Sequence, residues 1–387
     1  MSQNNNNNII SDRWANFETK EFSSRAFNLT EGNPTKVFQY KNISSKYLSI
    51  YSPNPQGDKV LRKKISELYL ENKYNIHPED IFLTTGTSES ISYIIKTLCN
   101  SKDEILLPSP GYPLFEFILD QENIKYNYYE YKETRINNTI NWSIDFDSLK
   151  SKINDYTKAI ILVNPNNPLG VILSEKEKIE FENIIKNNKI ILIIDEVFIN
   201  YSIYKKNRNR RSENIFSVNY FLLNGASKSW GFPGLKVGWI IPIGDKEFLN
   251  KVKPILEIIT DTYLSVSTPS QILFLEVLKN ENIIFKKILK RIRKNYKYIG
   301  KLLFNSKYLI PVKIEYGWYL PIKINLGISE EVLLKDLMQE VSVKVYPGNL
   351  FHFNNKKYLI ISLLVRPKIL KKAMKKIKKY FLDYENH

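Results

Sequence analysis

A single cysteine, Cys99, stands among the 387 residues, so neither an intramolecular disulfide nor a thiolate metal site can support the fold. Histidine is almost as scarce. His77, His352 and His387 lie far apart and at no metal-ligand spacing, which leaves metal catalysis without a donor set. Long apolar runs are missing as well: the strongest, KAIILVN and KIILIID, are bounded by charge and fall far short of the ~20 residues a membrane-spanning helix needs. The opening stretch, MSQNNNNNII, lacks the basic start and apolar centre of a secretion signal, so a cytoplasmic location is expected. Its asparagine run is of low complexity, and residues 1–12 are expected to form a disordered tail.

Apolar residues make up 43% of the chain, enough to bury a large core, and the length corresponds to roughly two to three ordinary domains. Lysine and arginine number 57 against 40 acidic residues, a net charge of +17. The lysines are spread through helices and loops and concentrate only in KKAMKKIKKYF near the C-terminus, where apolar residues recur at helical spacing. That pattern predicts an amphipathic helix with a solvated basic face, and no nucleic-acid or membrane partner is expected from it.

From about Tyr51 to Ser267 helical patterns alternate with short β-branched runs. GDKVLRKKISELYLENKY and SESISYIIKTLC read as helices, and IFLTT, DEILLP, AIILVNP, KIILIIDEV and YFLLNG as strands, the later ones buried on both faces. The alternation predicts an α/β fold, a mostly parallel sheet with helices on both faces. One long helical pattern follows from Gln271 to Phe304, then strands near KIEYGWYLPIKIN and KKYLIISLL. The expected organisation is a large domain over 46–280 and a smaller α+β domain built from 13–45 and 281–387.

In an open parallel sheet ligands sit beyond the carboxyl ends of the strands. Those ends carry TTGTSES, PSPGYP, NPNNPLG, the aspartate of IIDEVF, and SKSWGFPGLKVGW. Five such motifs in this order resemble the fold-type-I aminotransferases of class I/II that use pyridoxal 5′-phosphate (PLP), closest in LLNGASK and PGYPLF to the alanine-aminotransferase-like branch. The resemblance runs from about Asn28 to the C-terminal helix. It implies that Lys228, following Ser227, forms the exchangeable imine with PLP and then serves as the base at the substrate α-carbon. It implies that Asp195 pairs with the ring nitrogen, although a lone strand-end carboxylate more often caps a helix. Asn167 would donate to the cofactor's phenolic oxygen, Tyr112 would stack on its ring, and Gly86, Thr87 and Ser88 would cradle its phosphate at a helix start. Tyr51 resembles a tyrosine that reaches the partner subunit's phosphate in the family's homodimers, with an offset from Gly57 one residue longer than usual.

Three positions depart from the family pattern. Lys236 stands where an arginine usually grips the phosphate, keeping the charge without the planar fork. Phe198 replaces a tyrosine whose hydroxyl donates to the cofactor's phenolate. Ile360 falls where a strand arginine usually holds the substrate carboxylate, which leaves Arg25 or Lys356 as substitutes, or a substrate without that group. The reading that follows is a PLP-dependent aminotransferase acting on an amino acid and a 2-oxo acid. The alternative keeps the cofactor but decarboxylates, eliminates, cyclises or oxidises. A DNA-binding regulator is disfavoured because residues 1–45 hold no helix-turn-helix pattern.

Overall fold

The computed structural model describes residues 27–30, 54–70, 76–136, 139–204, 215–354 and 356–383. Its strands in chain order are β1 (Phe27–Asn28), β2 (Phe82–Thr84), β3 (Glu104–Ser109), β4 (Lys125–Ile136), β5 (Thr139–Ile144), β6 (Thr157–Val163), β7 (Ile191–Asp195), β8 (Tyr220–Gly225), β9 (Gly238–Ile243), β10 (Leu309–Pro311), β11 (Tyr319–Ile324), β12 (Val343–Lys344), β13 (Tyr346–Pro347) and β14 (Tyr358–Ser362). Eight of them form one sheet in the order β2-β9-β8-β7-β6-β3-β4-β5. Neighbours from β8 to β4 run parallel, while β9 is antiparallel to both its neighbours and β5 returns antiparallel on β4. The mostly parallel α/β sheet expected from the alternating pattern is therefore present.

The buried runs divide by the strand period of two. Ile105 and Leu107, Ala159, Ile161 and Val163, Ile193, and Phe221 and Leu223 join one core with the helices Thr87–Leu98, Leu114–Gln121 and Lys246–Tyr263. Leu106, Ile160 and Leu162, Leu192 and Ile194, and Tyr220 and Leu222 join the other. A strand covered on both faces has no polar side to show, which is why these segments read as unbroken apolar runs. Sequence patterning does not anticipate the long β4–β5 hairpin, whose half-exposed residues mix charge and tyrosine.

A second, antiparallel sheet has the order β10-β11-β14-β13, and β1 pairs parallel with β12. The single helical pattern expected from Gln271 to Phe304 is instead two helices, Thr268–Lys279 and Glu281–Leu303. Asn280 breaks it with φ −111° and ψ 11°, and its amide donates to Glu276 O at 3.1 Å, satisfying a carbonyl the ended helix leaves over. Periodicity alone cannot show the break, because apolar residues continue on both sides of it.

One close approach binds the sheet edge to the turn before the helix Thr87–Leu98. A Cβ on Gly238 would lie 2.7 Å from Gly86 Cα, so two bare backbones touch where β9 begins. Gly238→Ala is expected to push the Gly86 turn away and to lower stability by about 1–3 kcal/mol, as overpacking does. Urea unfolding of the two proteins measures it, and an unchanged midpoint would refute the contact.

Candidate active site

The carboxyl ends of β2, β3, β6, β7 and β8 open at one edge of the large sheet, and the antiparallel β9 begins at that same edge. Register brings Val163, Asp195 and Leu223 level across three neighbouring strands. The loops that follow are consequently adjacent although far apart in sequence. Together they enclose a cavity of about 390 Å³ lined by Gly86, Thr87, Ser88, Tyr112, Asn167, Asp195, Phe198, Ser227, Lys228 and Lys236. Ten of the eleven residues singled out from the sequence thus meet in one place. Tyr51 lies outside the described residues.

The wall at Gly86 is the N-terminus of the helix Thr87–Leu98. Gly86 has φ +144°, a conformation that favours glycine, and no side chain caps the helix there. Other helices in the protein close this end: Ser174 and Glu177 make a reciprocal capping box, and Asp245 accepts from Phe248 N at 2.8 Å. At Gly86 a Cβ would meet nothing within 4 Å, and Gly86, Thr87 and Ser88 all line the cavity. The first-turn N–H groups and the positive end of the helix dipole suit an anion. Lys236 adds a cation to the same cavity, held at φ 51° by the short helical turn Pro233–Leu235.

The asparagines of NPNNP divide their labour. Asn164 Oδ1 accepts from Leu173 N and Asn166 Oδ1 from Leu169 N, each at 3.1 Å, so both oxygens serve the loop itself, while Asn166 Nδ2 donates to Pro110 O at 3.3 Å and ties it to the loop bearing Tyr112. Gly170, at φ +64°, lets the same loop lie against Tyr316 O, 2.5 Å from where a Cβ would be. Asn167 is different. It is 7% exposed, yet its Oδ1 is buried without any hydrogen-bond partner. A native protein seldom leaves such a group unsatisfied, and this one faces the cavity, where a ligand would complete it.

Asp195 ends β7 with its carboxylate buried, one oxygen accepting from Val197 N at 3.0 Å. Burial pushes its pKa up to about 7. The Val197 N–H and the Lys228 charge oppose that rise, and the neighbouring Glu196 adds to it. Burial in turn lowers the pKa of Lys228, against the pull of Asp195. The cavity therefore holds an amine pushed towards its neutral form and a carboxyl able to take a proton near neutral pH, the poise that proton transfer needs.

A buried network fixes the turn that carries Lys228. The fully buried carboxylate of Glu196 accepts from Tyr69 OH at 2.7 Å and from Asn224 Nδ2 at 2.8 Å, and Trp239 Nε1 donates to Tyr69 OH at 3.1 Å. The Ser229 hydroxyl lies 2.6 Å from Asn224 Oδ1 and 2.7 Å from Val197 O, tying the residue after Lys228 to the residue after Glu196. Trp230, fully buried, donates its indole N–H to Glu281 at 3.0 Å. Lys228 thus sits between anchored neighbours. Glu196 is legible beforehand only as part of IIDEVF; just past the end of β7, its N–H still donates to Leu223 O of β8 at 3.1 Å, which keeps it inside.

Sequence reasoning also misses how the small sheet packs behind Phe198. Tyr319 and Tyr346 stand opposite Ser362 and Ile360 in register, so all four share one face. Tyr319 reaches Phe198 with rings 6.4 Å apart, while Phe198 packs edge-on against Trp318 at 4.9 Å. Ile360 is fully buried between Pro321 and Tyr346, as an apolar residue must be there. Lys356, a candidate substitute for the missing arginine, places its ammonium 4.7 Å from the centre of Trp142 and does not line the cavity. Arg25 lies outside the described residues.

His352 does not reach the cavity. Its ring pairs with the buried carboxylate of Glu116, which also accepts from Tyr128 OH. Gly111 N donates to Phe351 O, and Ser109 Oγ to His352 O, both at 3.0 Å. This clasp sets the loop after β13 against the loop bearing Tyr112, and its members come from segments more than 200 residues apart. Among the described residues no group of three or more His, Cys, Asp or Glu side chains is placed to hold a metal ion.

A lysine, an aspartate and an uncapped helix meet at the carboxyl edge of a parallel sheet, where open α/β sheets bind small molecules. The sequence profile described as aminotransferase class I and II matches residues 37–377, and the chain belongs to that family. It is 28% identical over 319 residues to nicotianamine aminotransferase A of Hordeum vulgare, covering 79% of this chain and 67% of that one. The corresponding share of nicotianamine aminotransferase B from the same plant is 56%. Identity to a glutamate–pyruvate aminotransferase of Haemophilus influenzae is 26%, over 79% of this chain and 76% of the other. Among solved structures, the alanine aminotransferase from Pyrococcus furiosus superposes with a TM-score of 0.82 at 24% identity, covering 92% of both chains, which shows a common fold.

The Asp195 carboxyl makes stability depend on pH. Its pKa rises from 3.8 to about 7 on folding, so the folded protein holds a proton that the unfolded chain releases between those values. Stability of the unliganded protein is expected to fall as pH rises through that window, by up to about 1.4 kcal/mol per pH unit from this group. Asp195→Asn should flatten the slope. Urea unfolding of both proteins at pH 5 and pH 8 tests it, and parallel losses in the two would show that Asp195 is not responsible.

Proposed function

We propose that the cavity binds pyridoxal 5′-phosphate and that the protein transfers an amino group between an amino acid and a 2-oxo acid. The observation that carries this reading is the meeting of Lys228, Asp195, Asn167 and the uncapped Gly86 turn around one 390 Å³ space. Each end of that space suits a different part of the cofactor. The Thr87 and Ser88 N–H groups with Lys236 fit a phosphate. Asp195 fits a protonated ring nitrogen, whose charge would draw its pKa back down. Asn167, unpartnered at Oδ1, presents Nδ2 instead after a half-turn of its amide and so fits the phenolic oxygen.

When bound, PLP supplies an electron-withdrawing ring that makes the α-proton of an amino substrate acidic. Lys228 Nζ, lowered in pKa by burial, is the base that accepts this proton and the acid that returns it. Asp195 keeps the proton on the ring nitrogen, Tyr112 covers the ring, and the Glu196–Asn224–Ser229 network holds the Lys228 turn in place. The family resemblance adds a homodimer to the proposal, and the sequence pattern adds a cytoplasmic location and the division into a large domain over 46–280 and a smaller one from 13–45 and 281–387.

A second reaction course, decarboxylation in place of α-proton removal or elimination after it, is favoured by Ile360, whose buried side chain cannot compensate a carboxylate. One experiment separates the two. PLP-loaded protein mixed with a panel of amino acids should turn its cofactor into the pyridoxamine form and release 2-oxo acids. Carbon dioxide, or ammonia without pyridoxamine, would establish the second course. Lys228→Ala should slow turnover by roughly 10³-fold or more, since it removes both nucleophile and base. Phe198→Tyr should restore a donor beside the phenolic oxygen and lower the pH midpoint of the bound cofactor's absorbance by about one unit. A midpoint that does not move would place Phe198 away from that oxygen.

A further inference from the structure

The charge surplus is not spread over the molecule. Sixteen of the 57 basic residues stand in residues 282–303 and 366–382, which contain no Asp or Glu; the remaining 41 face 40 acidic residues elsewhere. With Glu281 and Asp383 at their ends counted, the two helices Glu281–Leu303 and Pro367–Asp383, together with the arginine just before the second, carry +14 of the +17.

These helices lie side by side. Arg291 donates to Leu364 O at 3.3 Å, Lys371 covers the Tyr298 ring at 5.2 Å, and Lys378 donates to Leu302 O at 2.9 Å. Residue numbers rise together across these contacts, so the helices run in the same direction. Their buried stripes, Ile284, Ile288, Ile292 and Ile299 on one and Leu370, Ala373, Ile377 and Phe381 on the other, face the core. Opposite those stripes each helix carries four exposed lysines at one spacing: Lys290, Lys294, Lys297 and Lys301, and Lys368, Lys372, Lys375 and Lys379. At ~100° per residue each set centres about 170–180° from its buried stripe, so both rows point out from the same surface. The result is a flat plate of eight lysines, two rows of about 16 Å set about 10 Å apart. Among the described residues no carboxylate pairs with any of the eight.

We propose that this plate docks the protein on an anionic membrane surface. Three observations favour a bilayer over a nucleic acid. The eight outward cations of the plate are lysines, and Arg291 and Arg293 spend their guanidinium groups on the carbonyls of Leu364, Ile203 and Ser202, which leaves Arg366, just before the second helix, as the exposed guanidinium beside eight point charges. No aromatic ring stands free between the lysines for a base to stack on: Tyr298 lies under Lys371, and Tyr380 OH is bound to Asp336 at 2.6 Å. Large apolar side chains, Phe304 at 72% exposure and Leu382 at 50%, stand where both helices end and can enter the headgroup layer beside the lysines. Each lysine near an anionic leaflet adds to the attraction, and eight on one plane make the contact strong and salt-sensitive. No helix among the described residues is long and apolar enough to cross a membrane, so the contact is peripheral. The terminal helix read alone suggests only a solvated face; the second row, contributed by a segment more than 60 residues earlier, becomes visible when the two pack together.

The test is flotation of the full-length, PLP-loaded protein with vesicles of phosphatidylcholine alone or with roughly a third phosphatidylserine, at about 0.15 M salt. Binding is expected to the anionic vesicles only, and to weaken about tenfold or more at about 0.5 M salt. The fourfold variant Lys290→Glu, Lys294→Glu, Lys372→Glu, Lys375→Glu should bind at least about 100-fold more weakly. A control with Lys102→Glu, Lys125→Glu, Lys246→Glu and Lys251→Glu changes net charge equally and should bind within about threefold of the unmodified protein. Circular dichroism and the bound-cofactor spectrum confirm that both variants are folded. The proposal falls if unmodified protein ignores the anionic vesicles, if both variants lose binding equally, or if duplex DNA or RNA at equal phosphate concentration strips the protein from them.

Discussion

Burying an amine and a carboxyl group in one pocket is the constraint on which the rest of the structure depends. Asp195 and Lys228 are both shielded from water, and each would be more stable as an ion outside. The protein can keep them inside because the backbone around them is over-determined. Asp195 sits in the second of five adjacent parallel strands, with Val163 and Leu223 level on either side. Lys228 rides on a four-residue helical turn whose neighbours are tied to Glu196, Val197 and Glu281. The chemistry lies in the mismatch between where these groups would prefer to be and where the sheet holds them.

That rigidity extends outward in two directions. Towards the large sheet it runs through Glu196, Tyr69 and Trp239, a chain of buried polar groups each satisfied by the next. Towards the small sheet it runs through Tyr112, whose loop is clasped by Phe351 and His352, and through Phe198, which rests on Trp318. Both routes join the cavity to parts of the chain that carry no recognisable motif. The pocket is therefore a property of the whole assembly, with the five motif loops as its innermost layer.

The large sheet was legible because strands buried on both faces must be apolar without interruption, as in AIILV and IILII. The site was legible because its members occupy strand ends and sit among turn residues such as the prolines of NPNNP. What was hidden lacked a local signature. The β4–β5 hairpin alternates tyrosine and charge too loosely for a period of two to stand out. The break at Asn280 interrupts a helical pattern without interrupting its apolar residues. Tyr128, Glu116 and His352 meet only because separate segments fold onto one another, and Val197 lines the cavity merely as the residue after Glu196.

By itself the amino-acid order determined the doubly buried strands of the large sheet, the apolar faces of its helices, and which loops carry reactive groups, because these follow from local propensity and periodicity. Tertiary packing alone decided that Asn167 is the asparagine left for a ligand while Asn164 and Asn166 bind their own loop. It also decided that His352 serves the clasp and that two distant basic helices share one face. Such outcomes depend on distances between residues far apart in the chain, and one-dimensional spacing contains no measure of those distances.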